Sequence, residues 1–204
     1  EIYQCDWSSD VCSSDLDTAT ATARGPLSLA RYQLAATGNS NYGWFGGGLF
    51  QLFPRINYST VDRIDFSNDS TTAAARGPLN GARYGLAATG NSNYGWFGGG
   101  TNASGSGVST VERTDFNNDL VTALPRGPLS FTTWNIAATG NSNYGWFANS
   151  GSANRVDFSN DSVTASIRGS LPGGSNVGAT SGQAKSSSIR LQKAGSYGWF
   201  GGGF

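Results

Sequence analysis

The phrase Ala-Ala-Thr-Gly-Asn-Ser-Asn-Tyr-Gly-Trp-Phe occupies residues 35–45 and recurs unchanged at 87–97 and 137–147. A shortened form, Gly-Ser-Tyr-Gly-Trp-Phe-Gly-Gly-Gly, occupies residues 195–203. Spacings of 52, 50 and 53 residues separate the tryptophans of the four copies, Trp44, Trp96, Trp146 and Trp199. Self-similarity at a nearly fixed period is typical of repeat architectures. The sequence therefore predicts a protein built from repeats of about fifty residues.

Two further phrases recur in the same order. Arg-Gly-Pro-Leu begins at Arg24, Arg76 and Arg126, and Arg168-Gly-Ser-Leu is its fourth copy. A phrase of the type Val-Asp-Arg-Ile-Asp-Phe-Ser-Asn-Asp ends at residues 69, 119 and 161. Residues 171–194 depart from the pattern and are rich in Gly, Ser and Lys, which is consistent with a long loop, a divergent strand or a sequence error.

Short β-prone runs broken by Gly, Asn, Ser and Thr predict an all-β fold, and no segment carries a helical period. In the second repeat we expect strands near 82–89, 93–99, 109–116 and 119–125. The Pro of Arg-Gly-Pro-Leu has no backbone donor, which suits the exit from a sheet. Four short antiparallel strands in about fifty residues are typical of a β-propeller blade.

Residues 1–16 resemble a translated sequencing adapter rather than protein, and we exclude them as an artefact. They contain both cysteines and four of the thirteen carboxylates, so the remaining residues 17–204 carry a net charge of 13 − 9 = +4. These charges are spread through the repeats, so no nucleic-acid partner is expected. No apolar run is long enough to predict membrane insertion.

The chain has no His, which excludes catalytic triads and His-based metal sites within it. The Asp-Phe-Ser-Asn-Asp turns lack the alternating oxygen ligands of a calcium loop. We therefore expect no metal, no cofactor and no catalytic residues. The carboxylates and arginines that recur in every copy favour architecture, as ion pairs on the surface or between blades: Arg63 and Asp65, Arg113 and Asp115, Arg155 and Asp157. The repeated tryptophans are likewise expected to be core residues.

The order of these phrases resembles the kelch repeat, whose blades are similar to those of galactose-oxidase-type propellers. Gly98-Gly99 stands where kelch has its double glycine, Phe116 where kelch has Tyr, and Arg83 where an Arg follows the Pro. The kelch Trp of the fourth strand is replaced by Thr or Ala near Thr72, Thr122 and Thr164, so the set is divergent. The resemblance implies a propeller fragment, incomplete at both ends, with about three full blades and two partial ones in residues 17–204.

The loop between the second and third strands differs most among the copies, and variable loops on a fixed scaffold are where binding residues concentrate. In the first repeat it is apolar and aromatic, and its candidate binding residues are Phe50, Phe53, Arg55 and Tyr58. Folding of this loop over a blade edge remains an equal alternative.

These features predict a non-enzymatic scaffold with a protein or glycan ligand. The near-identical repeats resemble propellers of marine viral and environmental sequence sets, which implies a virion appendage or an adhesin and a location outside the cell. The alternative is a fragment of a carbohydrate-active or oxidase-type propeller enzyme whose catalytic residues lie outside this chain.

Overall fold

A computed structural model describes residues 21–52, 54–171, 177–181 and 198–202. Every regular element among these residues is a β-strand, so the predicted all-β class is confirmed. In chain order the strands are β1 Ala35–Gly38, β2 Tyr42–Gly46, β3 Leu49–Leu52, β4 Arg55–Asn57, β5 Val61–Asp65, β6 Ala74–Arg76, β7 Arg83–Tyr84, β8 Ala87–Gly90, β9 Tyr94–Gly98, β10 Thr101–Asn102, β11 Val111–Asp115, β12 Leu124–Arg126, β13 Ala137–Gly140, β14 Tyr144–Ala148, β15 Ser152–Asp157, β16 Ser166–Ser170, β17 Val177–Ser181 and β18 Gly198–Gly202.

Three four-stranded antiparallel sheets, one for each full repeat, contain most of these strands. The first has the order β1-β2-β5-β6, the second β8-β9-β11-β12 and the third β13-β14-β15-β16. We call them repeats 1, 2 and 3. The first strands β1, β8, β13 and β17 lie beside one another in chain order, so each sheet packs against the next.

The repeated Asn-Ser-Asn phrase closes the first hairpin of each repeat. In repeat 2 the side-chain oxygen of Asn91 accepts bonds from the main-chain N–H groups of Asn93 (2.9 Å) and Tyr94 (3.0 Å). Asn39 and Asn141 make the same pair of contacts in their own repeats. The side chain thus replaces a main-chain partner within the turn, which is why Asn is favoured there.

Two strand predictions differ from the structure. The first strand of repeat 2, predicted near 82–89, begins only at Ala87, because Gly85 has a φ of 62° and turns the chain away. Arg83–Tyr84 instead pairs with Thr101–Asn102. The fourth strand, predicted near 119–125, covers only Leu124–Arg126, because the main chain before it bonds to repeat 1 instead: the Asp119 carbonyl accepts the N–H of Gly77 (2.8 Å), and the Ala123 N–H donates to the Pro78 carbonyl (2.8 Å).

The aromatic residues of the second strands form the core between sheets. Trp96 and Phe97 are fully buried, and they face opposite neighbours. The Trp96 ring stacks on Phe158 of repeat 3, with centroids 3.8 Å apart, whereas Phe97 lies against Gly46 of repeat 1. Alternation of side chains along the strand therefore supplies one aromatic to each neighbour. Burial of each ring contributes roughly 2–3 kcal/mol.

The irregular segment 171–194 lies largely outside the described residues. Of this segment Leu171 and Val177–Ser181 are described, and Val177–Ser181 pairs antiparallel with the strand that contains Trp199. Trp199 itself stands opposite Thr180 in that pairing.

Candidate functional site

The loops between second and third strands lie at one end of the sheets, beside the segments that lead into the first strands. In repeat 1 this loop is the β3-β4 hairpin, and Leu49 exchanges two main-chain hydrogen bonds with Tyr32 (2.9 and 3.0 Å). In repeat 2 the shorter loop places Thr101 opposite Tyr84. The variable loops and the residues before the first strands therefore form one surface.

The predicted loop residues divide into exposed and anchoring positions. Phe50 is 52 % exposed, and Arg55 is exposed as well. Tyr58 is half-buried, and its main chain bonds to Gly48 (2.8 Å) and to Arg83 (3.2 Å), so it anchors the hairpin. Phe53 lies outside the described residues. Of the four candidates, Phe50 and Arg55 are thus available to a ligand.

Arg55 connects the loops of the first two repeats. Its guanidinium lies 5.3 Å from the centroid of the Tyr84 ring, within cation–π range. The same guanidinium reaches the position that a side chain at Gly105 would occupy in the loop of repeat 2. The loop residue from repeat 1 is therefore held over an aromatic ring from repeat 2.

Sequence reasoning missed one aromatic position that recurs in each repeat: Tyr32, Tyr84 and Trp134. Tyr32 is 45 % exposed and Trp134 is 66 % exposed, while Tyr84 is half-buried beneath Arg55. Each aromatic is followed by a residue with positive φ, at 55°, 62° and 51° in turn. The repeated order of an aromatic, a variable residue and Leu or Ile before Ala-Ala-Thr-Gly was the signal for this position.

The three aromatic positions follow one another across the sheets. The residues immediately after them are in contact: Gly85 donates its N–H to the carbonyl of Gln33 (2.9 Å), and Asn135 lies directly against Gly85. We define Tyr32, Phe50, Arg55, Tyr84 and Trp134 as the aromatic loop surface. Exposed aromatic and Arg side chains grouped in this way are typical of binding surfaces rather than of a solvated edge.

The recurrent tryptophans and arginines build the contacts between repeats. Asp119, at the end of the third-strand turn of repeat 2, accepts hydrogen bonds from Trp44 Nε1 (2.9 Å) and Arg63 (3.0 Å) of repeat 1. Arg76 Nε lies 3.4 Å from the same oxygen, and Phe116 stacks on the Trp44 indole with centroids 3.8 Å apart. We call this set of contacts the Asp–Phe clasp.

The next junction repeats the clasp with the same geometry. Asp161 accepts from Trp96 (2.8 Å) and Arg113 (3.0 Å), and it lies 3.5 Å from Arg126 Nε. Arg63 and Arg113 thus form their salt bridges with a carboxylate of the following repeat, and not with Asp65 or Asp115 two residues away on the same strand.

The aspartates at the ends of the third strands organise turns within their own repeats. Asp65 accepts from the Ser67 hydroxyl (2.7 Å) and from its N–H (2.9 Å), and Asp157 makes the same contacts with Ser159. The hydroxyl bond, followed by the N–H bond, lowers the pKa of each of these carboxyls, because both bonds favour the charged form. Asp115 accepts the N–H of Asn117 (2.9 Å).

A buried salt bridge within each of the first two repeats is replaced by neutral residues in repeat 3. Arg31 bonds to Asp62 (2.7 Å) with both side chains fully buried, and Arg83 bonds to Glu112 at the same place in repeat 2 (3.0 Å). Burial lowers the pKa of Arg83 and raises the pKa of Glu112, since it penalises each charge. In repeat 3 both charges are replaced, by Thr133 and Asn154.

The described residues contain no group of three or more His, Cys, Asp or Glu that could hold a metal ion, and in that part of the chain no helix could cross a membrane. A scan against protein-family models and a search of curated protein sequences gave no match to this chain. The fold itself defines the class: this is an all-β protein built from packed, repeated four-stranded sheets.

Proposed function

We propose that this chain is a kelch-like β-propeller segment that acts as a non-enzymatic scaffold and binds a glycan or a protein through the aromatic loop surface. Three repeated four-stranded antiparallel sheets, packed in chain order along their first strands, support the propeller. The arrangement would be overturned by an experimental structure in which successive sheets stack in a straight row instead of turning about a common axis.

The binding role depends chiefly on one observation. An aromatic residue occupies the same exposed or half-exposed position in three consecutive repeats, whereas Trp44, Trp96 and Phe97 in the sheets are fully buried. A ring held at such an edge presents a flat apolar face, which can stack on the C–H face of a sugar ring or fill a pocket on a protein. Arg55 adds a cation and hydrogen-bond donors beside Tyr84.

A glycan array probed with the 204-residue chain tests this role, followed by titration of the best glycan. We expect Trp134→Ala and Tyr32→Ala each to weaken binding roughly tenfold or more, as the loss of an aromatic contact of about 1.4 kcal/mol or more requires. Val163→Ala is the matched control, because Val163 is 54 % exposed but lies in the third-strand turn of repeat 3. Binding that survives both aromatic substitutions would overturn the assignment of this surface.

The protein-ligand form of the proposal is tested with intact cells on the same variants. A cell-binding signal that is lost with Trp134→Ala and kept with Val163→Ala supports a surface ligand even where no arrayed glycan binds. Absence of both glycan and cell binding would refute the proposed function.

A further inference from the structure

Repeat 3 contains Trp146 and Arg155, the equivalents of the Trp and Arg that donate hydrogen bonds in the two Asp–Phe clasps; with Tyr144 we call them the third donor set. Tyr144 and Trp146 meet edge to face with centroids 5.9 Å apart, and Arg155 lies 4.2 Å from the Tyr144 centroid. The corresponding distances in repeat 2 are 5.8 Å and 4.3 Å. The donor side chains are therefore held in the same geometry as at the occupied junctions.

Among the described residues, no carboxylate or aromatic ring occupies this third donor set. Trp146 is half-buried, whereas Trp44 and Trp96 are fully buried under their partner phenylalanines. Arg155 Nε is buried without a hydrogen-bond partner in the part of the chain that the structure describes, as Arg126 Nε is at an occupied junction. At the occupied junctions Arg63 and Arg113, the equivalents of Arg155, each donate from Nη1 to an aspartate at 3.0 Å, so this set favours an anionic partner.

A second observation concerns the glycine that follows the fourth strand. A Cβ built on Gly77 would overlap the carbonyl oxygen of Val121, and one built on Gly127 would overlap that of Val163, because each glycine lies against the turn of the next repeat. Gly169 follows Arg168 in sequence in the same way, but it lies inside β16 beyond a register shift, and a Cβ built on it would meet no described atom within 4 Å. The close approach that covers Gly77 and Gly127 is thus not formed by described residues at Gly169.

We propose that Tyr144, Trp146 and Arg155 of repeat 3 form a docking surface for the Asp–Phe turn of a further repeat of the same kind. The partner is a third strand followed by a Phe-x-x-Asp turn: its carboxylate receives the Trp146 and Arg155 donors, and its Phe ring stacks on Trp146. Charge complementarity favours this occupant, because the Arg155 guanidinium would face the carboxylate of the turn as Arg113 faces Asp161 at the occupied junction. This inference concerns assembly, and it does not depend on the ligand of the aromatic loop surface.

A peptide that contains the natural turn of repeat 2 tests the proposal. The probe is residues 109–124 with a fluorescein label, Ser-Thr-Val-Glu-Arg-Thr-Asp-Phe-Asn-Asn-Asp-Leu-Val-Thr-Ala-Leu, titrated with the 204-residue chain and followed by fluorescence anisotropy. We expect saturable binding that weakens roughly tenfold or more when the peptide carries Asp119→Asn or Phe116→Ala, since each change removes a charge-assisted bond or a ring contact.

Variants of the protein identify the surface. Arg155→Ala and Trp146→Phe should each weaken binding of the unaltered peptide; Trp146→Phe keeps an aromatic ring, but it removes the N–H donor and part of the ring area. Arg55→Ala is the matched control, because Arg55 belongs to the aromatic loop surface, and it should leave the affinity unchanged. Peptide that fails to bind at millimolar concentration, or that binds Arg155→Ala and Trp146→Phe as well as the parent chain, would overturn the proposal.

The same titration separates this inference from the proposed function. Trp134→Ala should weaken glycan or cell binding and leave peptide binding intact, whereas Trp146→Phe should weaken peptide binding and leave glycan or cell binding intact.

Discussion

Removal of the Arg83 side chain should reveal a strong coupling with Glu112. Arg83 is 3 % exposed and Glu112 is 1 % exposed, and the guanidinium also donates to the carbonyl of Phe97 (3.2 Å). With Arg83→Thr alone, Glu112 is left as a buried carboxylate without its cation. Loss of one partner of a buried ion pair costs about 3–5 kcal/mol, and we expect a loss of this size in the free energy of unfolding.

The double variant Arg83→Thr, Glu112→Asn should recover much of that loss, because repeat 3 carries this combination at the equivalent positions. There the side-chain oxygen of Asn154 accepts the N–H of Ser130 (2.6 Å), as Glu112 accepts the N–H of Asn80 (3.0 Å). Asn154 Nδ2 has no described partner, so the neutral arrangement retains a penalty of about 1–3 kcal/mol.

Urea unfolding of the parent chain, both single variants and the double variant measures the coupling, with tryptophan fluorescence as the probe. The double variant should be more stable than Arg83→Thr by about 2 kcal/mol. If instead the losses of the two single variants add in the double variant, the two charges are independent, and the reasoning from burial is refuted.

Three further changes test the junctions and turns. Gly77→Ala should destabilise the fold by about 2 kcal/mol or more, because the new Cβ would overlap the Val121 carbonyl. Gly169→Ala should change the free energy of unfolding by less than about 0.5 kcal/mol. Equal effects of the two substitutions in urea unfolding would argue against the close approach of Gly77 to Val121. Trp44→Phe should cost about 1.5–3 kcal/mol through loss of the N–H bond to Asp119, and unchanged stability would show that this bond contributes little. Ser67→Ala should raise the pKa of Asp65, measured by carboxyl NMR, with the pKa of Asp157 unchanged as the internal reference. The stability that the lowered Asp65 pKa provides is present above the ordinary pKa of Asp and disappears as the pH falls through the folded-state pKa. A Ser67→Ala chain whose stability depends on acid pH in the same way as the parent's would contradict this prediction.

The repeat period, the all-β class and the second and third strands of a repeat were predictable because they depend on residues close together in sequence. Asn91 and Asp65 bond to groups two or three residues away, and such contacts follow directly from residue type. Recurrence also showed that Arg63 was important. Its partner was not predictable, because Asp119 is 56 residues away and belongs to another repeat.

The aromatic loop surface was missed for a different reason. Tyr84 fell inside a predicted first strand, where alternation would have placed it on a sheet face. The positive φ of Gly85 ends the first strand at this point, so Tyr84 lies at the end of the sheet that carries the variable loops. At Asn135 and Gln33 the same conformation occurs without glycine, so residue type alone does not show it.

The clasp between repeats also bears on how such a chain changes in length. Repeat 2 carries both halves of the clasp: Trp96 and Arg113 donate to the following repeat, and Asp119 accepts from the preceding one. Recombination between near-identical segments that adds or removes a whole unit therefore creates a junction that is already matched. A whole added unit would therefore need no compensating substitution at the new boundary, whereas an insertion of half a unit would separate donors from acceptor.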